Sequence, residues 1–232
     1  MKINQLLEAG MSSISNGLTE FPEDIPDVIN GAFNFLANHI TSLKGGPSKV
    51  KGNFIISGNK LTNLNHGPTQ VSGIYDCSFN LLTSLEQCPD VVNEFRATDN
   101  RLTNLIGSPR RIKKGEFCVT GNKLTSLEGC PEYIAGDLEG ASNFQLTSLK
   151  GIENLRYVKN INFRHSKIES HLLGIFMVDI DGLFDFKFKT KHPNDEAVII
   201  DIVVQNINKG RKGMMNAMKQ LTDLGYEELA QL

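Results

Sequence analysis

One motif, Asn-x-(Leu/Ile)-Thr-x-Leu, recurs five times, at Asn38–Leu43, Asn59–Leu64, Asn80–Leu85, Asn100–Leu105 and Asn122–Leu127. Successive asparagines are 21, 21, 20 and 22 residues apart. A proline follows each first Leu/Ile by seven residues, as Pro47, Pro68, Pro89, Pro109 and Pro131. An aromatic residue precedes each asparagine by five: Phe33, Phe54, Tyr75, Phe95 and Phe117. A glycine usually sits just ahead of it, as Gly31, Gly52, Gly73 and Gly115. A fixed period of this length marks a solenoid, in which no unit can bury its apolar face alone.

Weaker copies flank the five. Asn16-Gly17-Leu18-Thr19 with Pro26 reads as an earlier unit. Leu146-Thr147-Ser148-Leu149 reads as a later one, with Phe144 at the asparagine position, Asn143 one residue early, and Ile152 in place of proline. Ile161-x-Phe163 with Ser166 and Ile168 reads as a last, degraded unit. The repeats are therefore expected over 16–168, as seven or eight units.

Residue types give each unit a shape. Phe54-Ile55-Ile56 and Phe117-Cys118-Val119 alternate with period two and carry aromatic and β-branched residues, the signature of a short strand. Stacked units place these strands side by side in a parallel sheet, about 4.8 Å per step. The asparagine is expected to turn inward and satisfy backbone groups at the bend, because buried backbone polar atoms need partners. The proline segment is too short for a helix. It is expected to return along the convex side as extended, polyproline-like chain.

These units resemble the short leucine-rich repeats of bacterial effectors. They are more similar still to leucine-rich-repeat proteins of large tailed bacteriophages, whose NxLTSLxGxP units precede a tail like Gly210–Gly213 with Leu224–Leu229. The resemblance covers about two thirds of the chain. It implies a leucine-rich-repeat solenoid and a binding function without a fixed ligand.

The ends of such a stack need caps. Residues 1–15 are expected to form one, with Ile3, Leu6 and Leu7 at helical spacing and Gly10 as a stop. Residues 169–232 are expected to form an α/β cap. In it, 170–178 reads as a short helix and Phe184, Phe186 and Phe188 as a strand. A helix opened by Pro193 is apolar nearly all round from 197 to 207 and is expected to be buried. A second helix, 212–224, carries Met215, Met218 and Leu221 on one face and offers a surface for oligomerisation.

The formal net charge of −2 and the 22% of charged residues give no strong field for nucleic acid or membrane. No run of apolar residues is long enough for a membrane span. No secretory signal is visible, so a cytoplasmic chain with free thiols is expected, in the host cell if phage-encoded. A ubiquitin-ligase reaction of the kind some bacterial leucine-rich-repeat effectors carry needs a nucleophilic cysteine outside the repeats. None follows Cys130. The five histidines make no metal-ligand spacing with one another or with cysteine, and no phosphate-binding fingerprint is present. No catalytic residue, metal or cofactor is expected.

The alternation instead selects a binding face. Outward strand positions on the concave side include Ile55, Ser57, Ile74, Asp76, Glu94, Arg96, Thr98, Glu116, Asp137, Glu139 and Arg164. The face is partly apolar early and acidic later. Residues 1–30 hold one basic and five acidic residues, 31–168 hold 16 and 11, and 169–232 hold 7 and 10. The array is thus mildly basic between acidic ends. Lys60, Arg101 and Lys123 each follow an asparagine, and Arg110, Arg111, Lys113 and Lys114 cluster on one turn. Together these mark a possible basic edge for an acidic partner. The expected function is protein binding, by a phage or bacterial effector that inhibits or recruits a host protein. The alternative is a self-assembling, oligomeric or virion-associated structural protein.

Overall fold

A computed structural model describes residues 10–232 of the chain. The expected cap helix with Ile3, Leu6 and Leu7 lies outside the described residues. The fold is a parallel β-solenoid whose strands alternate between two sides. The odd-numbered strands are β1 (Met11–Ser12), β3 (Phe33–Asn34), β5 (Phe54–Ile55), β7 (Ile74–Asp76), β9 (Glu94–Arg96), β11 (Phe117–Cys118), β13 (Leu138–Glu139), β15 (Ile161–Asn162) and β17 (Phe184–Asp185). They form one nine-stranded sheet in chain order. The even-numbered strands are β2 (Val28–Ile29), β4 (Lys49–Val50), β6 (Gln70–Val71), β8 (Val91–Val92), β10 (Arg111–Ile112), β12 (Tyr133–Ile134), β14 (Tyr157–Val158) and β16 (Asp179–Ile180). They lie on the opposite side.

The main sheet is set by its aromatic positions. Met11, Phe33, Phe54, Tyr75, Phe95, Phe117, Leu138, Ile161 and Phe184 pair in register. Rings of adjacent turns from Phe33 to Phe117 sit 5.0–5.6 Å apart between centroids, and their side chains are fully buried. Each such ring contributes roughly 1.5–3 kcal/mol by burial. The ladder runs past 16–168 at both ends. Met11 stands five residues before Asn16, as Phe33 stands before Asn38, and Phe184 extends the sheet one turn beyond Ile161.

The asparagines are buried and join neighbouring turns. Asn100 donates its amide to the carbonyls of Cys77 and Ala97 at 3.1 and 3.2 Å, and its Oδ1 accepts from Leu82 N–H at 3.0 Å. Asn59, Asn80 and Asn122 repeat the pattern. The residue before each asparagine is left-handed: Ala37, Gly58, Phe79, Asp99, Gly121 and Ser142 all have φ between 51° and 69°. The amide fixes this corner even where the residue carries a side chain, which is otherwise uncommon.

Asn143, assigned one residue out of phase from the sequence, occupies the same slot. It is fully buried, accepts from Leu124 N–H at 3.1 Å and donates to the carbonyls of Val119 and Gly140. The irregularity lies after it: an extra residue precedes Leu146, and Phe144 is left 72% exposed. Ser166 takes the slot in the next turn, its hydroxyl donating to the Phe163 carbonyl at 2.6 Å.

The return side differs from the expected polyproline-like chain. Although proline itself has no N–H to give, the residues after it do. Ile29, Val50, Val71, Val92, Ile112, Ile134, Val158 and Ile180 are β-branched and buried. Two-residue parallel ladders result, one of three strands (β2, β4, β6) and one of five (β8 to β16). The ladder breaks between β6 and β8. There the turn from Val92 to Phe95 is one residue shorter than that from Val71 to Tyr75, and it lacks the corner glycine. Gly73 shows why that glycine matters, since a Cβ there would stand 2.8 Å from the Gly52 carbonyl. A shallow cleft of about 360 Å³ of mixed character, lined by Val71, Ser72, Asp90, Val92, Asn93 and Lys113 among others, lies at the break.

The C-terminal region seals the last turn. The segment read as a short helix is a 3₁₀ helix, Leu172–Met177. Helix α1 (Asp195–Asn206) and helix α2 (Gly210–Asp223) pack on each other, and α2 packs on the 3₁₀ helix. Phe186, Phe188, Ile199, Val203, Ala217 and Leu221 are buried in this cap. Asn208 pairs its amide with both backbone groups of Ile180, closing the edge of β16. Helix α1 is not buried all round: Val198 and Val204 are 43% and 57% exposed. It ends the stack with one side only, and its other side meets solvent.

Two stability measurements check this account. Asn100→Ala leaves backbone groups of two turns without partners and is expected to cost roughly 2–4 kcal/mol in urea unfolding. Tyr75 carries a buried hydroxyl without a hydrogen-bond partner among the described residues, and burial pushes its pKa well up. Tyr75→Phe removes that orphaned group, so it is expected to raise stability by about 1 kcal/mol.

Candidate interaction surface

The outer face of the nine-stranded sheet carries three rows of side chains. The central row pairs Asn34, Ile55, Asp76, Arg96, Cys118, Glu139, Asn162 and Asp185 in register. The row before it holds Ile74, Glu94, Glu116 and Asp137, and the row after it holds Leu36, Ser57, Ser78, Thr98, Thr120 and Arg164. Strand alternation puts them here, because every second residue faces away from the core.

Leu36, Ile55 and Ile74 are half-buried and lie on successive strands, each one row from the next, so they form a diagonal apolar run over the early turns. Asp76 follows it and accepts from Ser78 N–H at 3.0 Å, so part of its role is to hold its own turn. Thr98 is half-buried, with Oγ1 3.2 Å from Cys118 Sγ. Ser57 does not belong to the open face. It is only 4% exposed, as is Ser78. The chain bends into Gly58 directly after Ser57, and its short side chain is covered by the stacked turns at about 4.8 Å.

Charges on this face are largely paired within the chain. Arg96 contacts Glu94 at 2.5 Å and Glu116 at 3.2 Å. Arg164 contacts Asp185 at 3.4 Å, a pairing available only because the sheet reaches β17. Asn160 donates to Asp137, and Asn162 to Glu139, each at 2.8 Å. Desolvation raises the Glu139 pKa; the Asn162 bond opposes this, and Asp137 and Glu116 add to it. The later turns therefore present an acidic surface with fixed side chains.

The basic residues named from the sequence do not form one edge. Lys60, Arg101 and Lys123 are exposed beside the buried asparagines. Arg110, Arg111, Lys113 and Lys114 sit on the opposite side, at β10. There Arg110 pairs with Asp90 and Glu132 at 3.4 Å each, and the Arg111 guanidinium lies 4.6 Å from the Tyr133 ring centroid. Sequence distance hid this, because half a turn carries the chain across the solenoid.

The cysteines sort by position. Cys77 and Cys130 are buried and Cys88 is half-buried, and burial pushes all three thiols up. All are unfavourable as thiolate nucleophiles. Cys118 is half-buried on the outer face. Among the described residues no three His, Cys, Asp or Glu side chains cluster as a metal site, and no helix is long and apolar enough to cross a membrane. A scan against protein-family models finds no match, and a search of curated protein sequences finds none.

Glu139 gives a pH test of the acidic turns. A carboxyl whose folded pKa is raised favours folding when protonated, so its contribution to stability falls as pH rises through that pKa. Glu139→Gln keeps an acceptor for Asn162 and removes the charge. It is expected to raise the thermal midpoint at pH 7, with the difference shrinking towards pH 4, as followed by circular dichroism.

Proposed function

We propose that this chain is a leucine-rich-repeat-type binding protein with no catalysis of its own, acting on another protein through the outer face of its main sheet. The observation that carries this reading is the half-buried apolar diagonal of Leu36, Ile55 and Ile74, bordered by Asp76 and Arg96 on a continuous sheet. An apolar centre rimmed by charge suits a protein interface. The scaffold is held by backbone ladders and the asparagine slots, so little ordering cost opposes binding. The acidic turns from Glu116 to Glu139 favour a partner that is basic where it meets them. Inhibition or recruitment of a host protein by a phage or bacterial effector fits such a surface. The reading extends to a reducing, cytoplasmic setting.

The test is affinity capture from bacterial lysate with the wild type, Ile74→Glu/Arg96→Glu and, as control, Lys49→Glu on the opposite side. A specific partner is expected to be retained by the control and reduced at least about tenfold by the double variant, a loss of 1.4 kcal/mol or more. Equal capture by all three proteins overturns the assignment of this face.

One observation favours a second reading, self-assembly through the cap. Val198 and Val204 on α1 and Met215 and Met218 on α2 are 43–57% exposed. Mass measurement in solution decides it, since a monomer at tens of micromolar removes that reading.

A further inference from the structure

A second surface runs along the edge beside the buried asparagines. The residue after each regular asparagine bonds its N–H to the preceding turn: His39 to Leu18, Lys60 to Ile40, Leu81 to Leu61, Arg101 to Leu82 and Lys123 to Leu102, at 2.7–2.9 Å. Lys167, which follows Ser166, bonds to Leu146 at 3.2 Å. These bonds hold the side chains in one row with a step of about 4.8 Å. In the turn between Lys123 and Lys167 two exposed residues, Phe144 and Gln145, stand where the others have one, and Phe144 projects beside the row. Read along the stack, the row is His39, Lys60, Leu81, Arg101 and Lys123, then the irregular turn with Phe144, then Lys167.

This row differs from the outer face in its electrostatics. Arg96 is paired with Glu94 of its own strand and Glu116 of the next turn, and Arg164 with Asp185 of the next turn. Lys60, Arg101, Lys123 and Lys167 are exposed, and none pairs with a carboxylate or donates a side-chain hydrogen bond among the described residues. Arg101 and Lys123 stand one step apart, so like charges face each other without a counterion from the chain. An anionic partner relieves that repulsion.

The apolar places are distinctive as well. Phe144 is 72% exposed through the extra residue in its turn, and its ring lies 5.9 Å from that of His165. Phe79 is 58% exposed at a left-handed corner, next to the row at Leu81. Large aromatics so exposed add little burial to the fold.

We propose that this edge binds an extended acidic segment of a protein whose acidic residues are interrupted by apolar ones. The carboxylates meet Lys60, Arg101, Lys123 and Lys167, and the apolar residues meet Phe79, Leu81 and Phe144. Leu81 places an aliphatic side chain between cations, which meets an apolar peptide residue and gives a base no ring to stack on. The site does not depend on the outer face having a partner.

The probe is a fluorescent peptide of repeated Glu-Leu-Glu units, titrated with the whole protein and followed by anisotropy. Binding that weakens with added salt is expected. Arg101→Glu/Lys123→Glu is expected to weaken it at least tenfold and Leu81→Ser/Phe144→Ser at least threefold. Ile74→Glu/Arg96→Glu is expected to leave it unchanged, which separates this edge from the outer face. Unchanged thermal unfolding of the variants confirms that the fold is kept. No binding, equal binding by the charge-reversed variant, an equal loss in Lys113→Glu/Lys114→Glu, or tighter binding of oligothymidylate than of the peptide overturns the proposal.

Discussion

Each buried asparagine bonds backbone groups of two neighbouring turns at once, and the solenoid depends on that coupling. A chain that bends sharply every 20 to 23 residues strands carbonyls and N–H groups at the bend. Water cannot reach them, so something within the chain must. A primary amide both donates twice and accepts, and it sits on a side chain short enough to stay at the corner. Leu82 N–H and the carbonyls of Cys77 and Ala97 around Asn100 show the full set. With the corner fixed, the aromatic five residues earlier falls onto its neighbour and the core stacks without further instruction.

Irregularities in the repeat map onto the places where the surface departs from uniformity. A missing residue between Val92 and Phe95 breaks the return-side ladder, where a shallow cleft lies. An added residue after Asn143 pushes Phe144 into solvent. Replacement of asparagine by Ser166 keeps only one bond of the set, and two turns later the stack gives way to the cap. Insertions and deletions change what the solenoid displays while the inward anchors keep the core continuous.

Two surfaces of opposite electrostatic character result. On the outer sheet face, cations are folded into pairs with carboxylates of the same strand or the next turn, leaving an apolar start and an acidic continuation. Along the asparagine edge, cations stand in line without ion pairs among the described residues, with Leu81 and the exposed Phe79 and Phe144 beside them. Surface pairs contribute little to stability, so the difference matters chiefly for recognition. One surface suits a partner with an apolar contact and basic flank, and the other an acidic extended one.

The sequence alone determined the period, the inward anchors and the asparagine slots, because each is enforced by the same local chemistry in every turn. It also determined the alternation that lists the outer face. Tertiary structure decided the rest. Ser57 followed the outward alternation yet is covered, since burial of a short side chain depends on the turns above and below. The return side became hydrogen-bonded strands because eight buried β-branched residues, from Ile29 to Ile180, align only once the turns stack. Asn143 regained its phase for the same reason, as a slot is defined by the neighbours that bond it. Lys60 and Arg111 belong to opposite sides although their residues read alike in sequence. Side-chain type is written in the chain, but which charges share a surface is set by half-turns of a folded solenoid.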